Sequence, residues 1–193
     1  MSFPSEGRPA GEATSQVTYC FKWNSRRNRA GVPLSEAEAR EQDAGGDEYT
    51  AVVPQAGSAH PVLVTVVWKN NFVGVSFIDE VGRKYMQYSF YKKNEASLFL
   101  TNVVIWTYPN DDPKLLFADA VQQEEIQYRE DGYVRRILID KTEAVKDTTE
   151  YSDVPVDDNW EPVPTFGDYR SIARKERSSA AHGGPIGAGA TAD

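Results

Sequence analysis

Cysteine is almost missing from this chain. Cys20 stands alone among 193 residues, so no disulfide can close within it, which suits a reducing compartment. Histidine is nearly as scarce: His60 sits in a loop before Pro61, and His182 lies in a C-terminal tail. That leaves most of the chain without the commonest general base and metal ligand. No apolar run approaches the ~20 residues a membrane-spanning helix needs. The start, MSFPSEGRPAGEA, has no apolar stretch behind basic residues, unlike a secretory signal. A cytoplasmic protein with no membrane partner is expected.

Catalytic signatures are missing too. The sequence holds no phosphate-cradling glycine loop, zinc-ligand spacing, nucleophile elbow or HExxH. Carboxylates are plentiful enough for a glycosidase-type pair, yet nothing in their spacing selects one pair. Asn110, Asp111 and Asp112 lack the remaining ligand positions of a calcium loop and read as turn caps. No metal or cofactor is expected, and the chain reads as a non-catalytic protein.

What the chain has is aromatic and β-branched residues, 22 of them aromatic. Between Val62 and Tyr108 four such runs, VLVTVVWK, FVGVSFI, RKYMQYSFY and SLFLTNVVIWTY, are separated by short polar turns. That pattern predicts strands joined by hairpins. Earlier, Gln16–Trp23 alternates Val17, Tyr19, Phe21 and Trp23 against Thr18, Cys20 and Lys22, and Tyr49–Pro54 is a further short strand. Residues 24–47 form a polar connector; within it Ser35 and Glu38 have capping-box spacing, so any helix there is short and solvated. The fourth run is apolar on both faces, which requires a cover on each side in the middle of the sheet. The fold class is therefore mainly β: an antiparallel meander closed as a barrel or packed as a two-layer sheet.

Downstream, Asp112-Pro113 and the spacing of Leu116, Phe117, Ala120 and Val121 predict a helix over 113–122. Asp131-Gly132 between two β-rich runs predicts a two-residue hairpin turn of positive φ. Residues 145–154 give a charged edge strand, and 167–177 a short basic helix. Residues 16–177 make the single domain, with 1–15 disordered and 178–193 a flexible tail.

Charge is uneven. Residues 109–168 carry 6 basic and 16 acidic side chains, against a net charge of −8 for the whole chain. Such a field disfavours nucleic acid and attracts basic partners. The sequence therefore points to a protein-binding module whose acidic C-terminal half meets a basic protein. A toxin-neutralising immunity protein is one concrete form. Asp140, Glu143, Asp147, Glu150 and Asp153 would steer the partner, and Tyr133, Tyr151 and Trp160 would anchor it, unless Trp160 instead pins its proline-rich segment onto the domain. The alternative is a β-barrel around a small apolar ligand, lined by Phe77, Met86, Tyr88, Phe90 and Trp106.

Overall fold

The structure, a computed structural model, describes residues 16–177. The expected disordered N-terminus, 1–15, and flexible tail, 178–193, lie outside the described residues. In chain order come β1 (Thr18–Cys20), β2 (Trp23–Asn24), β3 (Arg29–Ala30), β4 (Pro33–Leu34) and helix α1 (Glu36–Gly45). Then follow β5 (Tyr49–Val53), β6 (Val62–Val67), β7 (Phe72–Ile78), β8 (Lys84–Lys92) and β9 (Ser97–Thr107). The chain continues with β10 (Gln122–Tyr128), β11 (Val134–Asp140), β12 (Val145–Tyr151) and β13 (Trp160–Pro162). The main sheet runs β12-β11-β10-β9-β8-β7-β6-β5-β1-β4, with β13 also paired to β9 and a separate β2-β3 hairpin. The order has two ends, so the sheet is open and not a closed barrel.

Period-two alternation sorts the side chains into two faces. One cross-strand row reads Leu34, Tyr19, Ala51, Val64, Val75, Tyr88, Val103, Ile126, Arg136 and Thr149. From Tyr19 to Ile126 every member is buried. A row on the opposite face reads Cys20, Thr50, Thr65, Gly74, Ser89, Asn102, Gln127, Arg135 and Glu150. This second row is polar for most of its length, and Thr50 and Thr65 hydroxyls meet across it at 3.0 Å. The apolar face is the one that must be covered.

Two segments cover it. The C-terminal stretch after β12 lays Val154, Val156, Val163, Phe166, Tyr169, Ile172 and Ala173 onto the core. Helix α1 adds Ala39. The helix forms where the capping box is: Ser35 and Glu38 each bond the other's backbone amide, and Gly46 ends it with φ 77°. Its tie to the sheet is Asp43, which accepts from Trp68 Nε1 at 2.6 Å and from the Tyr49 hydroxyl at 2.8 Å. Tyr49 in turn meets the Tyr169 hydroxyl at 3.1 Å.

Three expectations need correction. The segment expected to be a helix, 113–122, holds only turns and a 3₁₀ turn over Phe117–Asp119. Leu116 is extended there (φ −109°, ψ 170°), its amide is capped by the Asp119 carboxylate, and Val121 already bonds to Thr107 of β9. The exposed Phe117 also removes one of the four members of the supposed apolar stripe. Among the described residues, the one α-helix lies instead within the polar connector 24–47. Likewise 167–177 is a chain of turns with one helical-type bond, Ala173 N–H to Tyr169 O. Finally, at Asp131-Gly132 only Gly132 takes positive φ (80°). Gly132 donates to Arg129 O, and Arg129 to Tyr133 O. This is a longer loop ending in a glycine bulge, as also at Asp79–Arg83.

Candidate functional site

The acidic flank is built by β10, β11 and β12, the last three strands of one end of the sheet. Among the described residues, β12 has β11 on one side and no strand on the other. Its residues from Val145 to Glu150 are all exposed, and Tyr151 is half-buried. Seven residues of strand span roughly 20 Å, so the flank is a narrow charged border.

The expected site residues fall into three groups. At one end of β12, Tyr133, Glu150, Tyr151 and Asp153 come together. Glu150 lies across from Arg135, at 3.9 Å. Its carboxylate accepts from the Tyr133 hydroxyl and so raises that phenol's pKa. Asp153 turns the chain with φ 58°, after which Val154 N–H bonds Gly132 O. At the other end, Asp140 takes the Gln122 side chain at 2.6 Å and the amides of Thr142 and Glu143. Those bonds, Gln122's above all, hold its carboxyl below the usual range. Asp140 therefore shapes its turn, and the neighbouring Glu143 is exposed. Asp147 lies midway along β12.

Trp160 does not join them. It sits on β13, opposite Phe99 of β9, with ring centroids 4.9 Å apart. Two strands, β10 and β11, separate β9 from β12, so Trp160 pins the C-terminal stretch to the sheet. Sequence reasoning also missed the cations woven into the flank. Arg136 pairs with Glu124 across β10–β11, Arg135 faces Glu150, and Lys146 faces Ile139. The alternation of opposite charges along paired strands was the available signal, readable only once the register was known.

The residues proposed to line a ligand cavity are placed differently. Phe77, Met86, Tyr88 and Phe90 belong to the continuous core. The Arg177 guanidinium lies over the Tyr88 and Phe90 rings, 5.3 and 4.9 Å from their centroids. Its side chain is fully buried and, with Arg174, is bonded to Glu161 at 2.5 Å. Arg177 of the cover thus stands over the Tyr88 and Phe90 rings. Trp106 faces the other side of the sheet, 6.0 Å from the Lys84 ammonium and 6.0 Å from Phe117.

Buried Arg177 and Glu161 are thus paired where they clamp the cover, whereas buried Arg83 is held by Asp79 and the Asn110 carbonyl beside the β7–β8 turn. Among the described residues, no group of three or more His, Cys, Asp and Glu could hold a metal ion. No described helix is long and apolar enough to cross a membrane. Comparison with protein-family models, curated proteins and solved structures finds no match.

Proposed function

We propose that this protein is a non-catalytic module that binds a basic protein partner on its β10–β12 flank, neutralisation of a toxin being one concrete form. One observation carries the reading: β12 is the last described strand of its end of the sheet, and Glu143, Asp147, Glu150 and Asp153, on or next to it, are exposed. Exposed carboxylates act at long range on a cationic surface and speed encounter, while Tyr133 and Tyr151 offer half-buried aromatic area for the contact itself. A nuclease with a basic substrate groove has the matching chemistry.

The test is capture from the native host by the wild-type chain and by a Glu143→Lys/Asp147→Lys/Asp153→Lys variant, followed by association kinetics with the retained protein. The expected partner is basic. The triple reversal should slow association by about tenfold or more at low ionic strength, and added salt should erase the difference. Equal association rates for both chains at every salt concentration refute steering by this flank.

A further inference from the structure

The free border of β12 reads VKDTTEY, and that sequence is complementary to itself. Run the strand antiparallel to a second copy about a two-fold axis through Thr148. Val145 then stands opposite Tyr151 of the second copy, Lys146 opposite its Glu150, Asp147 opposite its Thr149, and Thr148 opposite its own counterpart. By symmetry each unlike pair occurs twice. Two opposite-charge pairs, two aliphatic–aromatic pairs and a central threonine pair are among the cross-strand combinations that stabilise sheets.

Other registers fail. An axis midway between Thr148 and Thr149 is closed to any antiparallel pair, because it would set residues of opposite faces against each other. An axis through Asp147 puts two aspartates face to face. An axis through Thr149 leaves Lys146 opposite Ser152 and removes both ion pairs. Charges on an edge strand ordinarily turn other strands away. Here they oppose the register centred on Asp147 and support the one centred on Thr148.

The flanking structure suits that register. Lys146, Thr148 and Glu150 share the face that carries Ile139, Ile137 and Arg135 of β11. The pairing would therefore extend a charge ladder from Arg135 through Glu150 to Lys146 of the second copy. Asp147, on the core-side face, meets an uncharged threonine, and the nearby charge of Arg136 lies on its own chain. After Tyr151 the chain bends back toward Gly132, and no described strand pairs with the outer border of β12.

We infer that β12 pairs with β12 of a second copy of this chain, centred on Thr148, to join two sheets into one continuous sheet. The 141–144 turn of each copy then lies beside the 152–153 bend of the other, so each end of the interface gathers Glu143 and Asp153 from two chains. This inference does not rest on the basic-partner reading. A dimer that captures no basic protein leaves it standing, and a monomer that captures one leaves the other standing.

Sedimentation of the full chain over a concentration series, up to about 1 mM because a single strand pair is a small interface, tests it. The wild type should form a dimer. Lys146→Glu should raise its dissociation constant roughly tenfold by opposing glutamates twice. Thr148→Asp, which places two carboxylates on the axis, should do the same. The charge-exchanged Lys146→Glu/Glu150→Lys chain should recover the dimer, with circular dichroism confirming that each variant is folded. A wild type that stays monomeric overturns the proposal and leaves the border to a foreign strand. A dimer indifferent to Lys146→Glu and Thr148→Asp overturns β12 as the interface, and failure of the exchange to restore pairing overturns this register.

Discussion

One row of side chains crosses ten strands and changes character partway. From Tyr19 through Ala51, Val64, Val75, Tyr88 and Val103 to Ile126 it is buried beneath the C-terminal stretch. At β11 it becomes Arg136, and at β12 Thr149, with no described segment above Thr149. The backbone pairing is the same in both regions. What differs is the cover, so the middle of the sheet holds the domain together while the flank is left exposed. Hydrophobic burial stabilises the first region by roughly 1.5–3 kcal/mol per large side chain. Exposed ion pairs such as Arg135–Glu150 add about 0–1 kcal/mol to the second.

The contrast breaks most plainly under core truncation. Phe90→Ala removes a fully buried ring beneath Arg177 and should cost about 3–5 kcal/mol in urea unfolding. A loss below about 1 kcal/mol would mean that the cover does not sit on that ring.

Alkaline titration sharpens the comparison next. Burial pushes the phenols of Tyr19 and Tyr88 from 10.0 up to about 12, and those of Tyr49 and Tyr128 higher. A pKa raised in the folded state leaves stability intact below pH 10. Above it the unfolded chain ionises first, and stability is lost as pH climbs through 12. Tyrosinate absorbance and loss of β-sheet circular dichroism should therefore rise together for these residues. Ionisation of the buried phenols well ahead of unfolding would contradict their burial.

The smallest effect belongs to the flank. Thr149→Ala, at the exposed end of the same row, should change stability by no more than about 0.5 kcal/mol in dilute protein. A larger loss would show that β12 is covered after all.

The strands were legible because alternation and turn residues are local: Val62–Val67 and Phe72–Ile78 lie within the runs read from sequence, and Lys84–Lys92 passes the end of its run by one residue. The cover was not. Tyr169, Ile172 and Arg177 belong to a basic, turn-rich stretch whose burial depends on rings some ninety to one hundred and twenty residues away, such as Tyr88 and Tyr49. Helix α1 showed its capping box but not its docking, because the link is the polar Asp43 and its only buried residue is Ala39. The supposed helix at 113–122 misled because Leu116, Phe117, Ala120 and Val121 fit helical spacing while Asp119 and β9 claim the backbone first. At the flank the acidic residues were visible, but which of them cap turns, as Asp140 does, needed the register.

The order of the main sheet also bears on how the chain is made. From β5 to β12 each strand lies beside its predecessor, so hairpins can form one after another as the polypeptide leaves the ribosome. The Tyr169 hydroxyl that meets Tyr49 and the Lys175 carbonyl that takes the Tyr88 hydroxyl are synthesised only near the end of the described chain. Throughout translation, then, the greasy side of a nearly complete meander waits for its lid, and shielding it in that interval falls to whatever chaperones attend nascent chains.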